Sequence, residues 1–96
     1  MADIEVVDNT ERHRFEAMID GELAGFTQYD DRGDAVEFPH TVVADRHEGQ
    51  GVGSTVVRHA LDAMREQGKK VIPTCPFVKG WIDKHPDYQD LVAEQA

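Results

Sequence analysis

The first half of the chain reads as strands and the second as helix, strand, helix. Ile4 to Val7 is a short strand candidate. From Arg12 to Ile19, His13, Phe15, Ala17 and Ile19 alternate with Arg12, Arg14, Glu16 and Met18. A period of two is that of a half-buried strand. Asp20-Gly21 follows, and both residues tolerate positive φ, so the pair predicts a two-residue hairpin. Glu22 to Tyr29 is its antiparallel partner. Asp30 to Gly33 predicts a second turn, with Gly33 at the permissive position. Asp34 to Val43 is a third long strand. Pro39 in its middle cannot donate to a ladder, which predicts a bulge or a splayed edge.

After Asp45 the period changes. Val52, Val56, Val57, Ala60, Leu61 and Met64 recur at helical spacing and define one apolar face. Gly68 is placed to end that helix in a left-handed cap. Lys70 to Thr74 is short and β-prone. Strand, helix, strand implies a right-handed crossover between two parallel strands. Pro76 suits a first helical turn, so Phe77 to Lys84 is a short helix. His85-Pro86 breaks it, and Asp87 to Ala93 forms a last turn or two.

Composition narrows the function. Ninety-six residues make one domain, 1–96. The chain contains no apolar run long enough for a transmembrane helix. Its start, Met1-Ala2-Asp3-Ile4-Glu5, lacks the basic and apolar regions of a signal peptide. The lone Cys75 forms no internal disulfide, which fits a reducing, cytoplasmic setting. Asp and Glu number 19 against 10 Lys and Arg, a net charge of −9. That field repels a phosphate backbone and argues against nucleic acid as a partner.

Three stretches carry candidate chemistry. Glu48-Gly49-Gln50-Gly51-Val52-Gly53-Ser54 joins a strand to the amphipathic helix. Its glycines let a ligand approach the backbone, and the helix N-terminus offers unpaired N–H groups. Together these form either an anion site suited to a pyrophosphate or an ordinary glycine-rich connection. No Lys-Ser or Lys-Thr follows the glycines, and the Gly-x-Gly-x-x-Gly spacing is absent. Cys75 sits between a predicted strand and a predicted helix, where a thiolate is favoured, and Lys79 one turn on would add positive charge. It is a nucleophile or a thiol beside a thioester, or else a small buried hydrophobe. His40, near the expected bulge, is a general base or a partly buried strand histidine with one hydrogen bond. The remaining histidines share no ligand spacing, so no metal is expected. Trp81, Ile82 and Tyr88 read as packing residues.

His40-Thr41-Val42-Val43, the loop from Glu48 to Ser54, Pro73-Thr74-Cys75-Pro76-Phe77, Trp81-Ile82 and His85-Pro86-Asp87-Tyr88 occur in that order. The whole resembles the compact, YjdJ-type subgroup of the Gcn5-related N-acetyltransferases (GNAT), most specifically over residues 38–92. The resemblance implies an α/β fold. Its sheet is small, mixed and mostly antiparallel, with a splayed strand pair, one long helix and short C-terminal helices. It implies acetyl-CoA in the splay, its pyrophosphate on Gly49, Gln50, Gly51, Val52, Gly53 and Ser54. The pantetheine arm would pair with the backbone of Thr41, Val42 and Val43. Gly51 and Gly53 match the superfamily loop, whereas Glu48 stands where Gln or Arg is usual. The helical pair that usually follows the first strand is missing between Val7 and Arg12. In the subgroup, residues matching Cys75 and His40 are catalytic candidates.

The expected function is therefore acetyl transfer from acetyl-CoA to an amine, a small molecule or a protein, by a monomer or weak dimer. In a direct route a strand N–H near Val42 polarises the thioester and His40 or a water takes the proton. In a covalent route Cys75 accepts the acetyl group first. The rival readings are a CoA-binding module without transferase activity and a protein-interaction domain that keeps only the fold.

Overall fold

In the computed structural model, which describes residues 3–93, strands β1 (Ile4–Asn9), β2 (Arg14–Ile19), β3 (Glu22–Asp31) and β4 (Ala35–Val43) follow one another antiparallel. Strand β5 (Lys70–Ile72) joins β4 in parallel, so the sheet order is that of the chain. Between β4 and β5 lies helix α1 (Val52–Gln67). After β5 come helix α2 (Pro76–Asp83) and a 3-10 turn over Pro86–Leu91. A further 3-10 turn covers Asp45–His47, and the whole is the mixed, mostly antiparallel sheet with one long helix and short C-terminal helices that the resemblance implies. Met1 and Ala2 of the acidic start lie outside the described residues.

Local chemistry accounts for most boundaries. Asp20 (φ 51°) and Gly21 (φ 78°) both take the left-handed conformation that matches a tight turn to the strand twist. Gly68 (φ 70°) ends α1, its N–H turning back to the carbonyls of Arg65 and Met64. Several boundaries differ from expectation: β1 runs on to Asn9 rather than Val7, β4 starts one residue late at Ala35, and α2 spans Pro76–Asp83 rather than Phe77–Lys84. Strand β2 starts at Arg14 rather than Arg12, because His13 is itself left-handed (φ 55°) and Asn9 closes the turn by accepting the Arg12 N–H. Strand β3 runs on to Asp31, since Asp30 and Asp31 pair with Glu37 and Val36. Strand β5 stops at Ile72, two residues short of Thr74.

All six residues of the apolar face read from the sequence of α1 are buried. They join Phe15, Ala17, Val36 and Phe38 of the sheet and Val78, Trp81 and Ile82 of α2 in one core. Each large aliphatic side chain buried this way contributes about 1.5–3 kcal/mol. The opposite sheet face carries Arg14, Glu16, Phe26 and His40, with the Arg14 guanidinium 4.3 Å from the Phe26 ring centre. Strands β1 and β2 are joined by a turn alone, so no helical pair intervenes there.

Helix α1 begins hard against the sheet. A Cβ on Gly25 would stand 2.7 Å from the Val42 carbonyl oxygen and 3.0 Å from Val52 Cγ1. The carbonyl belongs to the ladder and cannot retreat. Gly25→Ala is therefore expected to destabilise the fold by about 1–3 kcal/mol, measured by chemical denaturation. An unchanged midpoint would mean the helix start moves aside freely.

Candidate active site

The sheet opens between β4 and β5. Their pairing covers only Ala35 to Glu37 against Lys70 to Ile72. One further bond, from the Cys75 N–H to the Phe38 carbonyl (2.9 Å), closes the fork. Beyond it the chain after β5 turns into α2, and β4 runs on alone to Val43. Glu37 pins the closed end. Its carboxylate accepts the Thr74 hydroxyl at 2.7 Å and Nη2 of Arg32 at 2.6 Å. The Thr74 bond first, and Arg32 second, hold this carboxyl below the usual range.

Strand β4 bulges where expected. Gln28 faces His40 and Asp30 faces Glu37, so β4 has one residue more than β3 across Phe38-Pro39. After the bulge the ladder phase is set by the Ala44 N–H donating to the Ala24 carbonyl at 2.8 Å. Backbone groups alternate sides along a strand. Those of His40 and Val42 therefore turn to β3, and those of Thr41 and Val43 turn into the open fork. The N–H of Val42 itself is thus committed to the sheet, and the neighbouring N–H groups are the ones on offer.

At the mouth of the fork stands the glycine loop. Gly49 (φ 80°) and Gly51 (φ 79°) are left-handed, a conformation that favours glycine. Gly51 caps α1 with no side-chain bond, and the first turn of the helix holds no acidic residue. The first amides of a helix have no partner within it, and they carry partial positive charge. Gly49 to Ser54 thus present a backbone cradle of the kind that fits a pyrophosphate. Val52 and Gly53 are themselves buried. Gln50 is tied to His47 (3.1 Å), and His47 to Glu22 of β3 (3.2 Å), which anchors the loop. Glu48 is exposed.

Helix α2 forms the second wall. Phe77, 45 % exposed, lies over Gly53, where a Cβ would come within 2.8 Å of its Cζ. The Trp81 indole N–H donates to Ser54 Oγ at 2.9 Å and joins the two helices. Glu37, Thr27 and this Trp81 bond escape a reading of the sequence. Only the position of Phe77, directly after Cys75-Pro76 at a helix start, gave a signal.

Cys75 caps α2 but is only 4 % exposed. Its thiol donates to Thr41 Oγ1 at 3.5 Å, and Thr41 bonds the buried Thr27 hydroxyl at 2.9 Å. The Lys79 ammonium faces Asp83 at 3.8 Å. His40 is exposed on the other sheet face, beside the Phe26 ring at 6.4 Å between centres. The structure therefore gathers the loop, Thr41, Val43 and Cys75 around one fork and sets His40 behind it.

A family model described as GCN5-related N-acetyl-transferase matches residues 14–91. Among solved structures, the NMR structure of a Staphylococcus aureus protein described as GCN5-like is similar, with a TM-score of 0.73 at 24 % identity. That match covers 100 % of this chain and 94 % of the other. The crystal structure of a ribosomal-protein-alanine N-acetyltransferase from Brucella melitensis biovar Abortus 2308 gives a TM-score of 0.65 at 18 % identity. It covers 99 % of this chain and 93 % of that one. Identities this low carry the fold and no more. No curated protein matches the chain.

The clamp at Glu37 makes the fork acid-sensitive. Its folded pKa lies below the ordinary value of 4.5, so as pH falls the unfolded chain binds the proton first. The clamp's contribution is complete above that value and is lost as pH falls through the folded pKa. Glu37→Gln is expected to flatten the acid limb of stability against pH, followed by denaturation at stepped pH. An unaltered slope would show that the clamp adds nothing.

Proposed function

The chain belongs to the GCN5-related N-acetyltransferase family, and we propose that it transfers the acetyl group of acetyl-CoA to an amine. The observation that carries this reading is the open fork with an uncapped, glycine-lined helix start at its mouth. The Thr74-Cys75-Pro76-Phe77 and His85-Pro86-Asp87-Tyr88 stretches support a place in the compact YjdJ-type subgroup.

Acetyl-CoA supplies an activated acyl carbon as its thioester. Gly49 to Ser54 hold the pyrophosphate by main-chain N–H groups. Thr41 and Val43 would pair with the pantetheine arm, and one of their N–H groups would stabilise the oxyanion formed when the amine attacks; its collapse would break the C–S bond and release CoA as a thiolate that takes a proton from water. A water or His40 accepts the amine proton. His40 suits an acceptor that arrives over the uncovered sheet face. Cys75 suits a packing role better than a nucleophilic one: it is buried, and its one polar neighbour is a threonine hydroxyl, too weak a base to take its proton.

One observation favours a second reading. With only a turn between β1 and β2, the acceptor side is bare, which suits a module that binds CoA and transfers nothing. Calorimetric titration with acetyl-CoA and CoA, followed by acetylation of an amine panel, separates the two. Saturable binding with acetylation supports the transferase; binding alone supports the module; no binding at millimolar ligand removes both and leaves an interaction domain.

Two substitutions sharpen the test. Cys75→Ala is expected to keep most turnover, and its abolition in a folded variant would establish an acyl-cysteine route. Glu48→Gln removes an exposed carboxylate beside the cradle and is expected to tighten CoA binding about two- to fivefold, the scale of an exposed charge interaction. Equal affinity would show that Glu48 faces away from the phosphates.

A further inference from the structure

From Asp45 to Gly51 every residue but one is exposed. The 3-10 turn Asp45–His47 buries no residue, and a Cβ placed on Gly49 or Gly51 would meet nothing within 4 Å. Packing therefore does not hold the glycine loop. The exception is His47, whose side chain is only 13 % exposed.

The His47 ring stands between two elements. Its Nε2 lies 3.2 Å from Oε2 of Glu22, the first residue of β3. Its Nδ1 lies 3.1 Å from Oε1 of Gln50, inside the glycine loop. The charged groups around the ring are Glu22 from β3 and Arg46 from the same turn, whose Nη2 reaches the same Glu22 oxygen at 2.6 Å. The first turn of α1 brings no acidic residue. Both partners of the ring are thus oxygens, and carboxylate and amide oxygens only accept. A neutral imidazole has one N–H and satisfies one of the two contacts. The imidazolium has two and satisfies both. The complete link from β3 through His47 to Gln50 belongs to the protonated ring.

We propose that His47 is a proton-dependent positioning residue: its protonated ring fastens the glycine loop to β3 in the shape that receives the cofactor's pyrophosphate, and loss of the proton slackens the loop. The proposal rests on the reading of Gly49 to Ser54 as that cradle. Apparent affinity falls with the fraction of loops already in the binding shape, so the proton acts on the cofactor without touching it. Affinity is therefore highest with the ring protonated, and it falls as pH rises through the imidazole titration, between about pH 5 and 8. The clamp at Glu37, held below the ordinary carboxyl value of 4.5, leaves that window clear.

The test measures acetyl-CoA affinity by calorimetry at about pH 5.5 and about pH 8, near the two ends of that titration. It compares the wild type with His47→Gln, which has no imidazole, and circular dichroism checks that the variant folds. The ligand's own phosphates titrate alike in both, so the difference between the two pH effects isolates the ring. The wild type is expected to lose about three- to tenfold more affinity than His47→Gln, the scale of one net hydrogen bond. In the free wild type, NMR relaxation of the amide nitrogens is expected to show Gly49, Gln50 and Gly51 less ordered at the higher pH. This second readout needs neither a variant nor a ligand. Parallel losses in the two proteins, or equal loop order at both pH values, would overturn the proposal. The Gln50 amide would then turn its NH2 to the neutral ring and keep both contacts. Absence of acetyl-CoA binding at both pH values would overturn the cofactor reading and the cradle with it, and loop order would then report on the latch alone.

Discussion

At Phe38-Pro39 strand β4 carries one residue more than β3 opposite it, and everything downstream is shifted by one. Val36 and Phe38 point into the core, and an unbroken strand would send His40 after them. The extra residue sends Thr41 there instead, where it meets Thr27 and the Cys75 thiol. The same shift turns the backbone groups of Thr41 and Val43 into the fork. Side-chain facing and main-chain offer are thus set together by one insertion, at a proline that could not have served a regular ladder.

The fork needs both ends to be firm. Glu37, Arg32 and Thr74 hold the closed end by side chains, and the Cys75 N–H adds a main-chain bond. At the open end α1 rests directly on the backbone of β3 at Gly25. The loop between them can then expose its amides without side-chain caps, because its position is secured by His47, Gln50 and Glu22 rather than by the helix start itself.

Features set by neighbours in sequence were legible before the structure. The Asp20-Gly21 turn, the apolar face of α1, the Gly68 cap, the glycine loop and the Pro39 bulge each rest on a few adjacent residues. Misreadings arose where a pattern ran past its cause. His13 continued the alternation of β2 yet lies in a turn, because the period of two carries no mark of φ. The relation of His40 to Cys75 was not legible, since it depends on which way the bulge shifts the strand. Contacts such as Glu37 with Thr74, or Trp81 with Ser54, join residues far apart in the chain and leave no periodic trace.

The close approach of Phe77 to Gly53 has a consequence for how such chains can vary. The space beside α1 is already filled by the ring, so the two positions form one unit of volume. A methyl group at 53 is admissible only with a smaller residue at 77, or with a ring turned outward. Drift at either site is therefore conditional on the other. A chain that enlarged the helix residue first would reshape the wall of its own fork before altering any polar group in it.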